Sequence, residues 1–244
     1  MPQNGSFLAF DTSTDVMSIA LTDGMRVWQH TGPGGAKASS TLIPAILALL
    51  KEAGLALGDL QAIAFGRGPG SFTGLRTACA VAQGLAFGAN RVVGGIDGVG
   101  IPVLPIDTLM ALAEEARTQH ESPHITTLLD ARMDEMYVQR YACNQGILGP
   151  LGDCELIRPE NLASDGTTLY AGNVFEVYRG RLPDGLNSLT CLPTATAMLR
   201  LVPRLAASGH CVPASEALPL YVRDKVALTT TEREHIKALK LQTA

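Results

Sequence analysis

Apolar and polar positions alternate along this chain in a way that assigns its first half element by element. Residues 7–10 are uninterrupted apolar and stop at Asp11-Thr12-Ser13-Thr14-Asp15, small polar residues that form turns readily. Residues 16–21 resume as a strand, Asp23-Gly24 marks a hairpin, and Met25, Val27 and Gln29 then alternate with Arg26, Trp28 and His30. Three consecutive antiparallel strands are predicted. A glycine-rich stretch at 32–35 leads into a helix from residue 39 or 40 to 53, closed by Gly54, with Pro44 near its first turn where a missing N–H costs least. Residues 62–65 read as a buried strand, and residues 77–90, rich in Ala, Gly and Leu without a formal charge, as a buried helix. Residues 101–106 form a strand whose Pro102 and Pro105 confine it to a sheet edge or to strand ends, and Asp107 is the expected N-cap of a helix from residue 108 to about 118.

Both early helices are more apolar than packing on one sheet requires. Leu42, Ile43, Ile46, Leu47, Leu49 and Leu50 cover more than one stripe of the first. The second carries small residues four apart, Gly74/Ala78/Ala82/Ala86 and Ala80/Gly84/Gly88. A helical glycine costs roughly 1 kcal/mol relative to alanine, so close approach by another helix is one compensation; burial inside the chain is the other.

The second half repeats the opening of the first. Residues 126–136 match residues 8–17 in kind, as an apolar strand, an Asp, three residues, a second Asp, then a Met two positions on, at a constant offset of 119. Residues 136–142 alternate as the next strand. Beyond them Leu156-Ile157 and residues 168–171 are short strands, Gly172-Asn173 a turn, and residues 194–207 a helix bent or interrupted at Pro203. Residues 218–223 are extended, and Thr229-x-x-Glu232 caps a charged tail helix carrying Ile236 and Leu239.

Between the strand at 62–65 and the second helix lies Gly66-Arg67-Gly68-Pro69-Gly70-Ser71-Phe72-Thr73-Gly74-Leu75-Arg76. Ser71 is a natural N-cap, and glycines at a helix N-terminus leave N–H groups uncovered for an anion. It is not a P-loop, because Leu75-Arg76 stands where Lys-Ser/Thr is needed, nor a dinucleotide fingerprint, because Ser71 replaces the third glycine. A tight strand-to-helix turn without ligand is the other reading.

Composition narrows the function classes. The 244 residues are 46% hydrophobic and 17% charged, ordinary globular values, and a net charge of −4 argues against unaided nucleic-acid binding. Five cysteines without a Cys-x-x-Cys pair fit reduced thiols in a cytoplasmic protein. Neither a signal segment nor an apolar run of about 18 residues is visible, so no membrane partner is expected. His120 and His124 stand at metal-ligand spacing, yet Pro123 pushes Ser122 out of helical torsions, so they do not share a helical face and no metal site is expected.

The segments at 8–14, 64–76, 129–133 and 220–223 resemble the TsaB (YeaZ) family, which acts in forming threonylcarbamoyladenosine on tRNA. The resemblance spans most of the chain. It implies an α/β, actin-like ATPase (ribonuclease H-like) fold of two lobes, each with a mixed sheet and flanking helices, the first at residues 1–108 and the second, reduced, at 109–244. It implies a non-catalytic partner of the transferase TsaD, which modifies adenosine 37 of tRNAs reading codons that begin with A. It also implies association with the ATPase TsaE, contact with tRNA only through the complex, and a homodimer when alone. Docking through the first two helices would involve Leu42, Ile46, Leu49, Leu50, Ala78, Ala82 and Leu85. No intrinsic cofactor is implied, and weak or shared nucleotide contact would fall on Asp11, Thr12, Ser13, Gly68, Gly70, Ser71 and Thr73. Asp130, Arg132 and Arg223 are assigned to the second-lobe loop as structural partners. Ala38 replaces a frequent family His, and Asp134 a Gly. The alternative is a small actin-fold kinase of the type III pantothenate kinase sort, whose opening loop Asp11-Thr12-Ser13 resembles only in part.

Overall fold

Five strands and two helices account for the first layer pair of the computed structural model, which describes residues 5–89, 91–93 and 96–223. Strands β1 (Phe7–Asp11), β2 (Val16–Thr22) and β3 (Val27–Pro33) are followed by α1 (Ala38–Ala53), β4 (Ala62–Gly68) and α2 (Phe72–Gly88). A short hairpin, β5 (Arg91–Val93) with β6 (Ile96–Val99), leads to β7 (Val103–Asp107) and α3 (Thr108–Gln119). The second half supplies β8 (His124–Asp130), β9 (Met136–Asn144), β10 (Ile147–Pro150), β11 (Glu155–Ile157), β12 (Leu169–Gly172), β13 (Ser188–Thr190) and α4 (Ala195–Ala207). The tail with its Thr229–Glu232 capping pattern lies outside the described residues.

The strands form two mixed sheets, in the orders β3-β2-β1-β4-β7 and β10-β9-β8-β12-β13, with β11 on β9. This is the two-sheet α/β architecture expected of the actin-like class. The apolar periods explain the layers. Phe10, Ile19, Ile63 and Phe65 face α1 and α2, whereas Ala9, Ala20, Ala64 and Leu104 face α3 and α4. Leu109, Leu112 and Ala116 of α3 also pack on Ile125, Leu129, Tyr137 and Tyr141 of the second sheet, so α3 is shared between sheets. Among the described residues that second sheet has no α-helix on its other side. Leu162, Val174 and Tyr178 from irregular segments cover it instead.

The second half does not stay with its own sheet. α4 packs on β1 and β2, and Val212 bridges to Val103. The chain then runs along α2, where the Ala217 carbonyl accepts from the Cys79 thiol (3.1 Å) and the Gln83 amide (2.9 Å). α3 and α4 are joined by Glu114, whose carboxylate is buried and accepts from Arg117 (2.8 Å) and Arg200 (3.1 Å).

Several boundaries differ from the sequence reading for identifiable reasons. α2 starts at Phe72, directly after the Ser71 cap, because Gly74 serves inside the first turn as a close-approach site and not as loop. α1 starts at Ala38 behind a 3-10 turn, which puts Pro44 in the helix interior on its exposed side. Met25 belongs to the β2–β3 turn, where the Asp23 carboxylate accepts from the amides of Met25 and Arg26. Asp107 occupies the N-cap position of α3, but its side chain pairs with Arg67 instead. Pro105 sits in β7, at the sheet edge as its missing N–H demands.

Candidate functional site

The β1–β2 loop is locked from within. Asp11 is fully buried, and its Oδ1 accepts from the Ser13 amide (2.8 Å) and hydroxyl while Oδ2 accepts from Thr108 (3.3 Å). Burial nonetheless dominates and holds its carboxyl above the usual carboxylate range. The Thr12 hydroxyl donates to the Gly74 carbonyl (2.7 Å), and the Ser71 amide to the Ser13 carbonyl (2.7 Å). Gly66, Gly70 and Gly74 make this possible. A Cβ on them would overlap the Asp11 carboxylate, Ser13 and the Thr12 carbonyl respectively. The glycine run therefore seats the first loop by backbone contact.

The β8–β9 loop is held by side chains. Arg132, Met133 and Asp134 are consecutive left-handed residues, with φ of 61°, 56° and 60°. Arg223 fastens this turn by donating to the carbonyls of Ala131 (3.1 Å) and Arg132 (3.2 Å) and to Glu135 (2.7 Å). Asp130 accepts from Tyr178 (2.7 Å) and from the Arg132 amide (2.9 Å), and Arg132 reaches across to Asp15 (3.0 Å).

Between the two loops lies a cleft of about 360 Å³. Ser13, Gly70, Ser71 and Thr73 line it from one side, Asp130, Arg132, Tyr137 and Asn173 from the other, and residues 220–223 run through it. The Leu220 amide donates to the Arg67 carbonyl (2.7 Å), and Tyr221 stacks on Phe72 with Arg76 over the Phe72 ring. Of the seven residues expected to meet nucleotide, Asp11, Thr12 and Gly68 are buried away from this cleft, and the Leu220 carbonyl covers Gly68. That placement corrects those three positions, because a carboxylate already spent on its own turn is not presented to a ligand. Tyr137, Phe72 and Tyr221 were not singled out as site residues. Only their proximity in space marks them.

The partner-facing residues also need correction. Leu42, Ile46, Leu49, Leu50, Ala78 and Ala82 are buried in the core beneath α1 and α2, and Leu85 is half-buried against it. The solvent side of the same helices carries Ile43 (43% exposed), Leu47 (52%) and Phe87 (66%), together with exposed Ala80, Gly84 and Gly88. A Cβ on Gly84 or Gly88 would meet nothing within 4 Å.

Other chemistry is sparse among the described residues. His120 caps the end of α3 and His124 opens β8, so they share no helical face. No group of three or more His, Cys, Asp and Glu there could hold a metal ion. Burial pushes the thiols of Cys154 and Cys191 up to about 12, which removes both as nucleophiles. No helix among these residues is long and apolar enough to cross a membrane.

Comparison with known proteins agrees with this architecture. The family model described as TsaD, tRNA N6-adenosine threonylcarbamoyltransferase, matches residues 33–208. The tRNA threonylcarbamoyladenosine biosynthesis protein TsaB of Haemophilus influenzae is 31% identical over 237 residues, covering 92% of this chain and 96% of the relative. TsaB of Escherichia coli is 30% identical over 90% of this chain and 95% of its own. Among solved structures, a Pseudomonas aeruginosa protein described as similar to peptidase YEAZ superposes with a TM-score of 0.79 at 37% identity, covering 90% of this chain and all of its own.

Proposed function

The chain belongs to the TsaB family of tRNA threonylcarbamoyladenosine biosynthesis proteins, and on that premise we infer that it serves that modification as a non-catalytic partner of TsaD. Docking takes place on the outer face of α1 and α2. Family membership displaces the small-kinase alternative, and the burial of Asp11 removes the first-loop carboxylate that such a kinase would present to its nucleotide.

The observation that supports docking is the pair Gly84 and Gly88. Each lies within α2, neither has positive φ, and neither has a neighbour that a methyl group would disturb. Inside this chain alanine would serve better at Gly84, by roughly 1 kcal/mol for a helix-interior position, while Gly88 is the last residue of α2. A second helix approaching closely over Ala80, Gly84 and Gly88, flanked by Phe87 and by Ile43 and Leu47, supplies the missing reason. A second copy of the chain competes for the same face when TsaD is absent, and TsaE and tRNA are met through the assembled complex.

Gly84→Arg tests this reading. The substitution improves helix propensity and points into solvent, so the lone chain keeps its thermal stability. Co-purification with TsaD and restoration of threonylcarbamoyl transfer to tRNA should both be lost. Undiminished binding would place the interface elsewhere, and transfer by the isolated chain would end the partner reading.

A further inference from the structure

The second sheet covers its two faces unequally. Alternation along β8, β9 and β12 sends Ile125, Tyr141 and Leu169 toward α3, and Thr126, Arg140 and Tyr170 to the far face. Leu162, Val174 and Tyr178 cover that far face over Leu128, Met136 and Val138. Toward the start of β8 the cover gives way to a cavity of about 450 Å³, walled on one side by residues of the 163–170 segment.

That wall is complete in itself. The Tyr170 hydroxyl donates to the Ala163 carbonyl (3.2 Å) and accepts from the Asp165 amide (3.3 Å). The Asp165 carboxylate accepts from the Thr168 hydroxyl (2.7 Å) and from the amides of Thr168 (2.9 Å) and Thr167 (3.0 Å), which hold its carboxyl down to about 2.

The floor is not complete. Thr126 is only 5% exposed and lines the cavity, yet its hydroxyl has no hydrogen-bond partner among the described residues. Valine would fill the same space in a strand without a polar group. Directly across the β8–β9 ladder, the Arg140 guanidinium also has no acceptor among the described residues. Arg132, Arg179, Arg181, Arg200 and Arg223 in the same half each meet a carboxylate. A cation and a nearly buried hydroxyl thus border one cavity with nothing to donate to.

We propose that this cavity binds a small carboxylate ligand. The planar fork of Arg140 takes the carboxylate, because it matches such a group two bonds at a time, and the Thr126 hydroxyl is the second donor. The apolar body of the ligand lies against Leu151 and the Tyr170 ring. A volume of about 450 Å³ suits a small organic molecule and exceeds a lone inorganic ion. Asp165 does not compete for Arg140, since its oxygens are taken up by its own turn. The site shares no residue with the outer face of α1 and α2 or with the cleft between the two loops.

Titration of the full-length chain with benzoate and, separately, with inorganic phosphate at matched ionic strength tests the proposal, read by calorimetry and by the Arg140 side-chain and Thr126 amide resonances. Saturable benzoate binding that shifts both resonances is expected, with phosphate weaker. Arg140→Gln changes an exposed side chain without an internal partner, so it should keep thermal stability and weaken benzoate binding at least tenfold. Thr126→Val breaks no internal hydrogen bond and should weaken binding about tenfold without lowering the melting temperature, a separation that a merely structural threonine would not give. A flat benzoate titration overturns the proposal, and so does phosphate binding as tight as benzoate. Wild-type affinity in both variants overturns it as well.

Discussion

The loops after β1 and after β8 start from the same sequence pattern and reach opposite solutions. Asp11 and Asp130 each end the first strand of their half, yet Asp11 turns toward α3 and meets Thr108, while Asp130 turns to the other side and meets Tyr178. The cause is a register difference of one residue. Asp11 pairs with Ser18 across β1 and β2, leaving six residues between them, and Asp130 pairs with Met136 across β8 and β9, leaving five. Because side chains alternate faces along a strand, a one-residue slip exchanges inside for outside. Met17 and Met136 keep equivalent faces in their sheets, so the slip falls on the first strand of each pair. One loop thus became a buried plug held by glycine backbones, and the other an exposed left-handed turn held by arginines.

That contrast sets the order of expected effects. Gly74→Ala drives a methyl group into the Thr12 carbonyl, where backbone lies on backbone and neither side yields easily. It should cost about 3 kcal/mol or more in urea unfolding, or prevent folding altogether. A loss below about 1 kcal/mol would mean that the first loop is not locked by close approach.

Arg223→Ala comes next. It removes the clasp on the second loop and should cost about 1.5–3 kcal/mol, with faster amide exchange at residues 131–135 and unchanged protection at 11–14. Equal loosening of both loops would erase the distinction between them. Asp134→Gly acts the other way. It relieves a left-handed residue and forfeits only an exposed pair with Arg181, so stability should rise by about 0.5 kcal/mol, whereas Asp15→Gly gains nothing because Asp15 is not left-handed.

The finest difference is a slope with pH. Asp11 binds its proton more tightly in the folded chain than in the unfolded one. Its contribution is therefore most favourable below the ordinary carboxylate value of 3.8 and declines as pH rises through the elevated folded value. Asp11→Asn, which keeps an acceptor for Ser13, should remove that decline. Parallel urea midpoints for wild type and variant from acid to neutral pH would contradict it.

The elements were legible where local patterns suffice. The Gly54 terminator, the Ser71 cap, the Asp23-Gly24 turn and the edge strand at Pro105 each follow from one residue's torsional or hydrogen-bonding limits. The repeat at offset 119 correctly marked β8 and β9 as a second β1–β2 pair. It could not show the slipped register, which depends on how many residues each turn uses. The docking residues were misplaced for a related reason. Excess apolar surface on a helix is visible in sequence, but which part of it the chain itself covers depends on the roll of that helix on its sheet. Leu42 and Ile46 went inward, and Ile43 and Leu47 outward, by one position in each case.

The order of strands and helices, the glycine run and the left-handed tolerance of Asp134 were set by the amino-acid sequence, since each rests on what a residue and its near neighbours permit. The cleft was decided only by tertiary structure. Tyr137, the start of α2 and Arg223 lie more than sixty residues apart along the chain at the nearest, and no local pattern signals that they line one cleft. Their convergence depends on α3 packing between two sheets and on the final described segment crossing back through the gap, both consequences of long-range burial.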